Sequence, residues 1–144
     1  ELGMCYTVDA QPSAHADTGQ ITIYAGTGAD EVGELALTTM DELRRAADDL
    51  SEAEVARARA QRRAGLLMGL EGPWARGQHM ARVLIAYDRG PDMAEMVGNI
   101  DAVTLGRVRD YAERLASRAR FALALYGPGD GAPSAEALRD RLSA

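Results

Sequence analysis

Apolar and polar residues alternate along the first 26 residues in the pattern of two β-strands. The first strand is predicted over residues 2–8 (LGMCYTV) and the second over residues 20–25 (QITIYA), with a polar, proline-containing connection between them. Period-2 alternation with β-branched and aromatic residues, bounded by Gly and Pro, is typical of strands. The chain begins within this pattern, and we therefore expect it to be a piece of a longer polypeptide.

After this hairpin, the apolar residues recur with helical spacing. Positions i, i+3, i+4, i+7 and i+8 from Val32 onward form one apolar stripe, which predicts a helix. Ser51 and Glu54 form a capping box that opens a second helix running to about Leu70. Further helices are predicted from Pro73 to about residue 89, over about 93–100, from the N-cap Thr104 onward, and from Ser134 through Leu142.

A third strand is predicted over residues 121–126 (FALALY), which are apolar almost throughout and are therefore expected to be central in the sheet. Strands at both ends with helices between them favour the α+β class, with helices packed on one face of a mixed, mostly antiparallel β-sheet. The length of 144 residues allows one hydrophobic core. We therefore expect residues 1–144 to form a single domain.

Charge and composition exclude several classes of partner. The formal net charge is −6, whereas a nucleic-acid surface is normally basic, so no nucleic-acid partner is expected. No apolar run approaches the ~18–20 residues that a membrane span requires, so no membrane partner is expected. The single cysteine, Cys5, excludes an internal disulfide and fits a reducing compartment, which favours a cytoplasmic location.

The chain contains, in order, LGMCYTV and DTGQITIYAG in the predicted hairpin (2–8 and 17–26), LSEAEVARAR (50–59), IDAVT (100–104) and LYGP (125–128). These blocks resemble segments of the insulinase/pitrilysin-type zinc metallopeptidases, and their mitochondrial-processing-peptidase-like branch in particular. One departure is Arg107, where the family usually has an acidic residue three positions after the helix-capping Thr. The blocks occur in the same order as in the family, and together they span nearly the whole chain.

The resemblance implies a metallohydrolase-like domain of the LuxS/processing-peptidase type, incomplete here, as the C-terminal part of the second, non-zinc domain. The implied function is the substrate-chamber part of a zinc-dependent metalloendopeptidase that hydrolyses peptides, with the catalytic zinc domain outside this chain. Its implied partners are a peptide substrate and the preceding zinc domain, and both homodimers and heterodimers are open. The alternative is a non-catalytic partner or structural subunit of a processing-peptidase-like complex, because the family contains both.

Zinc is implied for the parent protein but not for this chain. The family's inverted HxxEH motif, which provides two histidine ligands and a general base, is absent from residues 1–144. The two histidines, His15 and His79, lack ligand spacing, and a solvated or structural role is favoured for each. Whether the parent is an enzyme depends on that motif, and this chain alone is not expected to be active.

Tyr6 is the one candidate site residue. In active members of the family, an Arg and a Tyr seven positions later reach the substrate and hydrogen-bond the scissile carbonyl, which stabilises its developing negative charge. By resemblance, Tyr6 occupies the Tyr position, for catalysis and for substrate binding, and the Arg position falls before Glu1. From the residues alone, Tyr6 is an aromatic residue on a strand face, and packing in a core is the alternative.

Overall fold

Two strands and six helices follow one another in the computed structural model, which describes residues 3–15, 17–118 and 120–143. The strands and helices are β1 Thr7–Ala14, β2 Gly19–Gly26, α1 Val32–Asp48, α2 Glu52–Gly69, α3 Pro73–Tyr87, α4 Met93–Asp101, α5 Leu105–Arg118 and α6 Ala135–Ser143. The α+β class is thereby confirmed. The chain divides into two units, one of residues 1–48 with 110–144 and one of residues 49–109.

The hairpin at the start of the first unit is formed by β1 and β2, which pair antiparallel from Thr7 opposite Gly26 to Ala14 opposite Gly19. The second strand lies where the alternation predicts it. The predicted bounds of the first strand are wrong: β1 begins only at Thr7 and continues to Ala14, through residues taken as the connection. Leu2, also assigned to that strand, lies outside the described residues.

Pro12 lies inside β1, opposite Ile21. The amide of His15 donates to the carbonyl of Thr18 at 2.8 Å, which makes residues 15 and 18 a hydrogen-bonded pair. Because such pairs alternate along an antiparallel ladder, Pro12 and Ile21 form a non-hydrogen-bonded pair whose backbone groups point away from the partner strand. Pro12 therefore removes no bond from the ladder, and an edge strand tolerates it. For this reason β1 extends through a residue that reads as a strand breaker.

The predicted third strand is wrong. Residues 120–126 are described and form no strand, and the sheet of the described residues has two strands. Leu125 is 51% exposed and Tyr126 is fully exposed, so this apolar run is not central to a sheet. A strand exists only where a second strand pairs with it, and no other described segment pairs with this run.

The core of the first unit lies where α6 packs on α1. Leu138 is its most buried side chain, with 1% exposure. It clusters with Met40 of α1, Ala116 of α5 and Leu142 of α6, and the half-buried Phe121 packs against the cluster. A Cβ at Gly33 would lie only 2.6 Å from the carbonyl oxygen of Gly131, so the first turn of α1 touches the backbone before α6. These contacts make α6 part of the core of this unit.

An ion pair on the surface joins α1 to α6. The Nε and one terminal nitrogen of Arg141 each donate to a different carboxylate oxygen of Asp41, at 2.7 Å. The hydrogen bond from Arg141 holds the pKa of Asp41 below its usual value of 3.8. The pair therefore stabilises the packing of α6 on α1 while Asp41 is ionised.

Acid is expected to weaken the packing of α6 through this pair. Because the folded-state pKa of Asp41 is depressed, its contribution is complete above pH 3.8 and is lost as the pH falls through the lower folded-state value. Hydrogen-exchange protection of residues 135–143 should therefore fall on acidification of the unsubstituted protein. It should fall less in the Asp41→Asn variant. Both partners are about half exposed, so the effect should be small. Equal acid sensitivity in the two proteins would contradict this prediction.

The second unit, residues 49–109, contains α2, α3 and α4. The predicted capping box is confirmed: the amide of Glu54 donates to Ser51 Oγ at 3.3 Å, and the Ser51 amide donates to the Glu54 carboxylate at 2.9 Å. α2 packs on α4, and Arg59 donates to the carbonyl of Val103 at 3.0 Å. Asp92 caps α4. The predicted cap at Thr104 is present as well, since the Arg107 amide donates to Thr104 Oγ1 at 3.3 Å.

The apolar side chains of α3 are exposed. No residue of this helix is buried, and Trp74 and Ile85 are 77% and 86% exposed. Met80, Leu84 and Tyr87 are also more than half exposed. No helix in the described parts of the chain combines the length and the apolar composition that a membrane span requires.

Candidate functional site

Tyr6 lies immediately before β1, and its side chain is 99% exposed. The structure thus rejects core packing for Tyr6 within this chain. A side chain that remains in water on folding contributes no hydrophobic stabilisation. The stability of the fold therefore does not explain why an aromatic residue stands at this position. Its phenol hydroxyl is free to donate a hydrogen bond to a group outside the chain.

The backbone around Tyr6 is held by two consecutive residues at the end of β2. The amide of Tyr6 donates to the carbonyl of Gly26 at 2.9 Å. The hydroxyl of Thr27 donates to the carbonyl of Met4. We call these two hydrogen bonds the Gly26–Thr27 tether. It fixes residues 4–6, which lie outside the β1–β2 ladder, against the junction between β2 and α1.

An open cleft of about 620 Å³ lies beside this segment. Glu31, just before α1, is the charged residue among the described residues that line this cleft, and Glu31 Oε2 lies 3.3 Å from the Thr27 hydroxyl. The cleft therefore combines one exposed phenol, one thiol and one carboxylate. The lining residues are Gly3, Met4, Cys5, Tyr6, Gly26, Thr27, Gly28 and Glu31.

The histidines do not form a metal centre. His15 is exposed, with its Nε2 3.4 Å from the hydroxyl of Ser13, as expected of a solvated residue. His79, on α3 in the other unit, is half-buried, and its Nε2 has no hydrogen-bond partner. Among the residues that the structure describes, no three His, Cys, Asp or Glu side chains come together as a metal site. The described residues therefore offer no site that fits a catalytic zinc ion, which takes three protein ligands.

The structure brings Tyr6 to the cleft and leaves His15 and His79 out of it. Thr27 is the residue of the site that the sequence does not predict. Its hydroxyl donates to a backbone carbonyl, that of Met4, which is 23 residues away in sequence. No pattern of side chains predicts such a hydrogen bond. The one available signal is its place directly after Gly26, at the end of the DTGQITIYAG block.

Comparison with known proteins gives consistent matches. The family model described as the peptidase M16 inactive domain matches residues 1–62. The uncharacterized zinc protease YmxG of Bacillus subtilis is 29% identical over 137 residues, which are 93% of this chain and 33% of that protein. A probable mitochondrial-processing peptidase subunit beta of Arabidopsis thaliana is 31% identical over 127 residues, 88% of this chain and 24% of that protein.

A solved structure matches as well. A chain of complex III2 from Candida albicans, determined with Inz-5 bound, superposes with a TM-score of 0.68 at 25% identity, covering 74% of this chain and 26% of that one. The present chain thus spans about a third or less of the length of each of these relatives. The chain belongs to the insulinase-type (M16) peptidase family, and its residues 1–62 match the inactive domain of that family.

Proposed function

We propose that this chain is the substrate-chamber part of a zinc-dependent metalloendopeptidase that hydrolyses peptides, and that a preceding domain of the same protein holds the zinc. The observation that carries this proposal is the exposed phenol of Tyr6, beside an open cleft and within the segment that the family model matches. The names of two relatives, a zinc protease and a processing peptidase, support it.

In this proposal Tyr6 binds the peptide at the bond that is cleaved. Its hydroxyl donates a hydrogen bond to the scissile carbonyl oxygen, and the bond strengthens as negative charge develops on that oxygen. A donor already in place when the charge forms needs no reorganisation during the reaction, which makes it more effective than water. The tether fixes the backbone from which Tyr6 extends.

The remaining parts of the proposal concern context. We propose that residues 1–144 act as one domain of the parent protein, that its location is cytoplasmic, in line with the single cysteine, and that the parent contains zinc, although the described residues bring no three candidate ligands together. A peptide substrate and the preceding zinc domain are its proposed partners, with a second copy or a related subunit as a further one.

The alternative proposal is a non-catalytic subunit of a processing-peptidase-like complex. The exposed apolar face of α3, with Trp74 and Ile85, favours it, because a large apolar patch is typical of a protein–protein contact. The names of the relatives also support it, since one is a subunit and another is a chain of complex III2.

Metal analysis of the full-length protein separates the two proposals. An enzyme is expected to contain one zinc ion per chain, to cleave unfolded peptides and to lose essentially all cleavage on chelation, which zinc restores. The double variant His15→Gln/His79→Gln should keep the same zinc content, because neither histidine is a ligand. A folded full-length protein without zinc and without cleavage would overturn the enzymatic proposal and favour the subunit. Loss of zinc in the double variant would contradict the assignment of the metal to another domain.

A further inference from the structure

We propose that Thr27 is a positioning residue for Tyr6, acting through the backbone carbonyl of Met4. This inference rests on the proposed function of Tyr6, and it adds the residue that determines where the phenol stands. Thr27 itself need not touch the substrate.

Tyr6 is held in place by its backbone and not by side-chain packing. Its side chain is 99% exposed, so packing does not fix its direction. A group that must meet a substrate atom at hydrogen-bond distance has to be held by its neighbours, or its rate advantage is lost. Among the described residues, the contacts that support Tyr6 are those made by the backbone of its own segment.

The backbone of residues 3–6 is anchored at two points. This segment precedes β1 and includes Gly3, whose φ of +66° lies in the left-handed region. The Tyr6 amide bonds to Gly26, and the Met4 carbonyl bonds to the Thr27 hydroxyl. These two hydrogen bonds lie on either side of Cys5, and their partners, Gly26 and Thr27, are adjacent in sequence. Together they fix the rotation of the segment as well as its distance from β2.

The position of Thr27 suits it to donate the hydrogen bond to the Met4 carbonyl. Thr27 is half-buried at the junction of β2 and α1, where its own backbone is fixed by the strand on one side and by the turn into α1 on the other. Its hydroxyl has a single proton, which it donates to Met4; the Glu31 carboxylate, at 3.3 Å, is the competing acceptor. Removing the hydroxyl leaves the Met4 carbonyl without this donor, so that residues 4–6 are held by the Tyr6–Gly26 hydrogen bond alone and move more freely.

The test compares Thr27→Val, which removes the hydroxyl at nearly constant shape, with Thr27→Ser, which keeps it. Both are made in the full-length protein, alone and together with Tyr6→Phe. In Thr27→Val we expect hydrogen exchange of peptides covering residues 4–6 to be about tenfold faster, as the loss of one hydrogen bond implies. Exchange of residues 20–25 should be unchanged. The exchange rates of the Thr27→Ser variant should match those of the unsubstituted full-length protein.

Activity gives the second measurement. Thr27→Val should lower kcat about tenfold to a hundredfold at nearly unchanged KM, the loss that a misplaced catalytic group produces. In the Tyr6→Phe background the same substitution should cost almost nothing further, because the hydroxyl that it positions is already gone. A merely structural role for Thr27 would lower activity by the same factor in both backgrounds, and that outcome would overturn the proposal.

The two measurements distinguish failure of this inference from failure of the proposed function. Unchanged exchange at residues 4–6 in Thr27→Val would overturn the positioning role whatever Tyr6 does. Faster exchange together with full activity of Tyr6→Phe would overturn the proposed role of Tyr6, and with it the catalytic purpose of the tether.

Discussion

Replacing Tyr6 by Phe in the full-length protein is expected to lower kcat for peptide cleavage about 10²-fold, the usual cost of losing one transition-state hydrogen-bond donor. The substitution removes one hydroxyl and leaves the ring. Because the side chain is 99% exposed and makes no hydrogen bond to the described residues, the fold should be unaffected. KM should change little, since the hydrogen bond that is lost strengthens only as charge develops.

Tyr24→Phe is the matched control for this prediction. It removes the same hydroxyl from the same hairpin, at a β2 residue that lies opposite Asp9 and is 63% exposed, but that does not line the cleft. Steady-state kinetics of the two variants should therefore differ by nearly the whole factor. Equal losses in the two variants would mean that the hairpin is merely sensitive to change, and full activity of Tyr6→Phe would reject its assignment.

Truncating Leu138 to Ala is expected to cost about 2–5 kcal/mol of the free energy that holds α6 on α1, the range for deletion of a fully buried leucine. Leu138 is 1% exposed and contacts a cluster drawn from α1, α5 and α6. The cavity would remain partly empty, because the side chains around a truncated core residue relax only partially.

Native-state hydrogen exchange of residues 135–143 and 36–47 measures this cost as a local opening free energy. Leu67→Ala is the control: it is the same truncation on α2 in the other unit, at a residue that is 47% exposed, and it should change this opening by about 0.5 kcal/mol or less. An unchanged opening of α6 in Leu138→Ala would show that the observed core does not hold the helix.

The helices could be predicted from the sequence because their signals are local. The capping box of Ser51 and Glu54, the cap at Thr104 and the apolar stripe from Val32 all lie within a few residues of the backbone groups that they satisfy. The helix termini accordingly fall within a few residues of their predicted positions. The α+β class is predicted correctly, although the third strand used in that prediction is not found in the described residues.

The strands and the site could not be predicted in the same detail because their partners are distant in sequence. Residues 121–126 have the composition of a strand, yet a strand also requires a second strand, which the described residues do not provide. Pro12 reads as a connection until the register places it on the outer side of β1. The identity of Tyr6 could be carried over from the family, but its exposure and its tether to Gly26 and Thr27 depend on contacts about 20 residues away.

The position of Pro12 makes the two edges of the sheet unequal. On β1 the outward row of backbone donors is interrupted at Pro12, whereas on β2 residues 19, 21, 23 and 25 offer theirs without a break. Growth of a fibril requires every copy to offer two competent edges, one for each neighbour. A molecule in which one edge is weakened pairs most readily edge to edge through the other, and a two-fold contact of that kind is closed at two copies. A single proline on β1 should thus disfavour open polymers of this hairpin relative to a closed dimer.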